Sequence, residues 1–219
     1  DRTNILRLFG CLEKSPQQSV FYDPGVGTFG AENSASYYYR RCVEIWGLAT
    51  GWGLDANVKE AYRYLVHTYQ HKSDDDDAIE ADQIFIFGFS RGAYTARVLT
   101  GFIHAVGLLH PDNLNLLDYA YRAYKSIGEN AGSASSDSAF AEVRLFERIL
   151  RPTRPKIRFL GLFDTVGSVI ESGRYGPRLR SHAFTSTNPS VESVRHALAL
   201  DERRTMFQPQ LWPASKPFR

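Results

Sequence analysis

Ser90 stands in the run Gly88-Phe89-Ser90-Arg91-Gly92, a G-x-S-x-G pentapeptide whose residue types suit a serine used as a nucleophile. The chemistry would be attack of the serine Oγ on an electrophilic carbonyl carbon. The N–H of Arg91, at a helix start, would donate to the oxyanion that develops. The flanks make the pattern specific. Ile84, Phe85, Ile86 and Phe87 form an apolar run rich in strand formers, and Ala93, Ala96, Leu99, Phe102, Ile103 and Val106 recur at helical spacing. Strand, sharp turn and helix make a nucleophile elbow, in which the serine backbone is strained. Bulky side chains at positions 88 and 92 would collide with strand and helix, which accounts for Gly88 and Gly92. The alternative is a tight strand–helix turn that a small serine merely fits.

A catalytic serine needs a base and an acid to orient it. Residues 156–163 read as a second buried strand that ends in Asp164. In a parallel sheet Asp164 falls on the same edge as Ser90, where the acid of a triad belongs. A turn-forming aspartate that caps the next segment fits the same position. The base is harder to find among His67, His71, His104, His110, His182 and His196. His67 and His71, at i and i+4, resemble half a zinc site but lack an adjacent glutamate or third ligand, so a surface pair is read. His104 lies on the elbow helix and His110 at a helix end beside Pro111. Only His182 and His196 follow Asp164 in chain order. His196 is the one base candidate, yet it falls in an apolar pattern read as a final helix over residues 190–201, where a satisfied core histidine is the commoner finding.

Gly25, Gly27 and Gly30 match the dinucleotide pattern G-x-G-x-x-G. Three features argue against that reading. Asp23-Pro24 separates strand from loop, the downstream carboxylate Glu44 sits mid-helix, and residues 35–71 offer two helices where a strand is required. Asp23 and Gly25 are read instead as lining the rim of the active site. The run Asp74-Asp75-Asp76-Asp77 lacks the alternating ligands and central glycine of a calcium loop and reads as a solvated turn. No cofactor and no metal are implied.

Around these motifs the periodicity predicts helices over 4–14, 35–49, 56–71, 93–106, 112–127 and 140–150. Asp1 or Thr3 caps the first of them. A short buried strand is expected over 19–22, and residues 128–138 form a polar connector. Strands alternating with helices indicate an α/β fold with a mostly parallel sheet flanked by helices, in a single domain over residues 1–219. With 219 residues, 43% apolar and 23% charged, and a formal net charge of +2, the chain is not a dedicated nucleic-acid binder. Cys11 and Cys42 make neither a disulfide framework nor a zinc signature. No apolar run reaches the roughly 20 residues of a membrane span, and no secretory signal opens the chain. Cytosolic residence is expected, and export without a cleaved signal would leave the same sequence. Both ends read as cut: the first helix starts almost at once, and the last residues form no closing element.

Four blocks together resemble a large uncharacterised α/β-hydrolase domain family that includes phospholipase effectors of the bacterial type VI secretion system. They are Phe21-Tyr22-Asp23-Pro24-Gly25-Val26-Gly27-Thr28, Gly88-Phe89-Ser90-Arg91-Gly92-Ala93, Phe159-Leu160-Gly161-Leu162-Phe163-Asp164-Thr165-Val166-Gly167 and His196-Ala197-Leu198-Ala199-Leu200-Asp201-Glu202-Arg203-Arg204. The resemblance implies Ser90 as nucleophile and Asp164 as triad acid, acting on an ester and above all a lipid ester. A secretion-machinery or immunity partner is implied with it. It also implies a histidine in a later His-Ser-Asp-(Val/Ile)-Gly-Gly-Gly-Tyr block and an earlier strand ending Phe-Asp-Gly-Thr, neither of which occurs in this sequence. The second oxyanion donor would come from that earlier strand. Two further readings stand beside the serine hydrolase: a catalytically incomplete binding or structural module of the same fold, and, more distantly, a dinucleotide-dependent oxidoreductase.

Overall fold

The structure is a computed structural model that describes residues 3–25, 52–71, 81–129, 136–165, 170–173, 176–179, 182–200 and 211–212. The glycine loop beyond Gly25, the helix expected over 35–49, Cys42 and the Asp74–Asp77 run lie outside the described residues. Helix α1, Asn4–Cys11, begins where Thr3 Oγ1 accepts the Leu6 N–H at 3.3 Å, so Thr3 is its cap. The strand expected over 19–22 does not form. Its residues lie beside helix α2, Trp52–Thr68, where Phe21 stacks on Tyr64 at 4.9 Å and Ser19 Oγ meets the Tyr64 hydroxyl at 2.5 Å. Side-chain packing on a helix has taken the place of a ladder.

Strand β1, Ile84–Phe89, passes directly into α3, Arg91–Val106. Gly107 ends that helix with φ 84, a left-handed conformation that favours glycine. The helix expected over 112–127 opens as a 3₁₀ turn, Pro111–Leu116, and continues as α4, Leu117–Glu129. Helix α5 spans Ser136–Leu150, and β2, Ile157–Phe163, pairs parallel with β1 from Phe85↔Phe159 to Phe89↔Phe163. Two short strands, β3 (Ile170–Gly173) and β4 (Gly176–Leu179), form a separate antiparallel pair.

The helix expected over 190–201 is not there. Val194–Ala197 is instead a strand, β5, parallel to the free side of β2, and the sheet order is β1-β2-β5. The apolar pattern of this short run fits either period, and the open edge of β2 decides it by offering backbone partners. Helices therefore flank a small, wholly parallel three-stranded sheet.

The main core lies among α2, α3, α4 and α5. Phe102 on α3 is fully buried and meets the rings of Tyr62, Tyr121 and Tyr124 at 4.7, 5.1 and 5.4 Å. On the sheet side of α3 the contacts are smaller, Ala93 and Ala96 against Leu160 and Leu162. Two alanines let the helix lie close on the strand it must align. Tyr62 brings a polar group into this core. Its hydroxyl donates to the Gly107 carbonyl at 2.7 Å and accepts from the Leu109 N–H at 2.9 Å, and burial raises its pKa well above the tyrosine range. Tyr62→Phe keeps the ring but strands two buried backbone groups. It should lower unfolding free energy by about 1–3 kcal/mol, measured as a shift in urea midpoint at unchanged m value.

Candidate active site

Ser90 has φ 55 and ψ −119, a conformation that L residues rarely adopt. Its N–H donates to the Phe163 carbonyl at 2.8 Å, tying the turn to the end of β2. Its carbonyl accepts from Ala93 and Tyr94 at 3.1 and 3.3 Å and so starts α3. Gly88 makes the turn possible: a Cβ there would lie 2.6 Å from Ala93 Cα and 2.7 Å from Ala93 N. The expected collision at Gly92 is not found, since no described atom lies within 4 Å of an added Cβ and the residue is exposed. Arg91 is the first residue of α3, at the positive end of the helix dipole.

Asp164 follows the last residue of β2 and turns with φ 45. Its N–H donates to the Ala197 carbonyl at 2.9 Å, and its Oδ1 accepts from the Ala199 N–H. No described group hydrogen-bonds its Oδ2. Phe89 and Phe163 are register partners, so Ser90 and Asp164, one residue on, leave adjacent strands at the same carboxyl edge. Adjacent strands lie about 4.8 Å apart. At Asp23 the chain makes a small turn, with the Gly25 N–H donating to Asp23 Oδ1 at 2.7 Å; neither residue hydrogen-bonds Ser90 or Asp164.

All six histidines are described, and none hydrogen-bonds Ser90 Oγ. His67 and His71 are exposed, and His110 is paired with Asp112. His104 Nδ1 meets Ser190 Oγ at 2.7 Å, and buried His182 Nδ1 meets the Tyr94 hydroxyl at 3.0 Å. His196, a strand residue rather than a helical one, turns its ring to the α3 side of the sheet. Its Nδ1 lies 3.5 Å from Arg97 Nη2 and its Nε2 lies 3.3 Å from Thr165 Oγ1. Both ring nitrogens thus meet groups other than Ser90.

Sequence reasoning passed over Arg97. It is fully buried on α3, with Nη2 donating to Thr165 Oγ1 at 3.1 Å and Nη1 to the Thr185 carbonyl at 3.4 Å. Its guanidinium also lies 5.3 Å from the Trp212 ring centroid. Burial lowers its pKa to about 10. The available signal was its place: a cation one residue from Ala96, on the face that meets the sheet. Among the described residues no group of three or more His, Cys, Asp or Glu side chains could hold a metal ion, and no helix is long and apolar enough to cross a membrane. A cleft of about 760 Å³ opens near Asp82, Arg151, Lys156 and Glu192, which precede the strands and so lie at the opposite edge from Ser90.

Residues 1–219 match the T6SS phospholipase effector Tle1-like catalytic domain. The chain belongs to that family. An uncharacterized protein of Saccharomyces cerevisiae, YEL023C, is a relative of this Tle1-like domain, 34% identical over 218 residues. The match covers 94% of this chain and 29% of the relative, so the chain spans less than a third of that protein's length. No solved structure matches the chain significantly.

Two predictions follow from this geometry. Gly88→Ala should cost about 1–3 kcal/mol or more in unfolding free energy, whereas Gly92→Ala, in an open helical position, should gain about 0.5–1 kcal/mol. Equal losses in urea denaturation would contradict the asymmetry. The second concerns pH. Burial first, and then Arg97 for His196 and Arg154 for His104, holds both histidines below the ordinary value of 6.5; Asp164 acts on His196 in the opposite direction. The unfolded chain therefore binds these protons at higher pH than the folded one. Their stabilisation is full above 6.5 and is lost as pH falls through 6.5 towards the lowered folded values. The urea midpoint should be lower at pH 5.5 than at pH 7.5, and an unchanged midpoint would contradict this.

Proposed function

We propose that this domain is the nucleophile-bearing part of a serine hydrolase of the α/β-hydrolase fold, cleaving lipid esters and foremost phospholipids. The observation that carries the reading is the strained turn at Ser90, at the carboxyl edge of a parallel sheet beside Asp164. Ser90 Oγ attacks the acyl carbonyl carbon and gives its proton to a histidine. The tetrahedral oxyanion accepts from the Arg91 N–H at the head of α3. The intermediate collapses to an acyl-serine as the histidine protonates the departing alcohol oxygen, and water then releases the fatty acid. Asp164 Oδ2 is the oxygen left to accept from that histidine. The base comes from outside residues 1–219, a reading supported by the positions of the six histidines and by the greater length of the yeast relative. Asp23 and Gly25 belong to the rim in this scheme.

An apolar border at the same edge supports a lipid substrate. Phe89, directly before Ser90, is 41% exposed, and Leu200, directly after the residue that holds Asp164, is 99% exposed. Such residues suit acyl chains better than a polar ester. The family is named for secreted effectors, but the relative is a fungal protein. Lipid-ester chemistry is therefore the property proposed here, with delivery and any immunity or secretion partner secondary to it. The second reading, a catalytically incomplete module, is favoured by one observation: Ser90 Oγ has no base among the described residues.

Full-length protein should hydrolyse a short soluble ester and phosphatidylcholine vesicles. Ser90→Ala should reduce both rates by at least about 10³-fold, and Asp164→Asn by a comparable factor. Activity in full-length protein that survives Ser90→Ala would remove the serine-hydrolase reading. No activity at all would leave the module.

A further inference from the structure

We propose that Arg97 is the positioning residue of this site: from the helix that begins at Ser90 it grips the turn that presents Asp164, and so sets the nucleophile and the acid in one frame. The inference rests on the serine-hydrolase reading and deepens it. Arg97 lies seven residues along α3 from Ser90, wholly out of solvent. One guanidinium reaches three separate segments of the chain. Nη2 donates to Thr165, the residue after Asp164, and approaches His196 on β5; Nη1 donates to the Thr185 carbonyl. Trp212 covers its face.

The tautomer of His196 follows from these contacts. A guanidinium only donates, so Nδ1 is the acceptor and Nε2 carries the hydrogen, which it gives to Thr165 Oγ1. Arg97, His196 and Thr165 thereby close a triangle in which the threonine oxygen accepts twice. Asp164 is held on its other side by Ala197 and Ala199, one and three residues after His196. The turn at φ 45 is thus pinned from β5 and from α3 together. A neutral His196 locked in this triangle is a brace for the acid and not the base. Burying a guanidinium costs several kcal/mol unless its donors are satisfied, and a planar fork that serves several acceptors at once suits this place better than a lysine would.

The test uses full-length protein, with Arg97→Met, Thr165→Val and the double variant. On a soluble ester each single change should lower kcat by about 10–100-fold with KM within about twofold, because the reacting groups shift while substrate contacts stay. The double variant should be no slower than Arg97→Met alone, since both cut one linkage. Unchanged kcat in folded variants, or multiplicative losses in the double variant, would overturn the proposal. Thr165→Val is nearly isosteric and decides the matter if Arg97→Met fails to fold. Nitrogen NMR of His196 reads the same linkage without activity. The wild type should show the Nε2–H tautomer titrating below the ordinary range, and Arg97→Met should titrate higher; identical spectra would overturn the proposal. If Ser90→Ala leaves hydrolysis intact, the catalytic reading fails while this spectral result still reports on the brace.

Discussion

A serine at φ 55 sits in backbone space that side chains avoid, and a fold must hold it there at a cost of roughly 1–3 kcal/mol. Here the hold comes from both sides of one residue. The Ser90 N–H is bonded to the end of β2, and its carbonyl opens α3. Gly88 lets the first turn of α3 close over the strand, where a Cβ would strike Ala93. The strain persists because the surrounding elements are fixed by other forces. Phe102 and its tyrosines anchor the far side of α3, and Ala93 and Ala96 seat the near side on Leu160 and Leu162.

The same sheet edge explains the positions of the remaining polar groups. Parallel strands bring the residues that follow them to one edge, so Phe89 and Phe163 in register place Ser90 and Asp164 side by side. The short β5 adds the backbone groups that fix Asp164. Beneath the edge lies Arg97, a buried cation whose donors link α3 to β5 and to the acid turn. Burial first, and then that cation, lowers the basicity of His196.

The elements that carry Ser90 were legible because their signals are local. The apolar run before Gly88 and the helical spacing after it belong to β1 and α3, and the run ending at Asp164 belongs to β2. Segments whose structure depends on a distant partner were misread. Val194 to Ala197 is too short for its periodicity to decide, and the open side of β2 makes it a strand. Residues 19–22 have strand-like composition but find α2 instead of a ladder. Arg97 was hidden for another reason: a lone arginine within a helical pattern resembles a surface charge until the sheet that covers it is known. Gly92, grouped with Gly88 by the motif, proves to have open space around it.

The strained Ser90 is proposed here as a nucleophile. Its most direct test is to treat full-length protein with a fluorophosphonate probe and map the modified residue by mass spectrometry. A single adduct on Ser90, absent from Ser90→Ala, is expected. Esterase activity accompanied by an adduct on another residue, or by none, would contradict it.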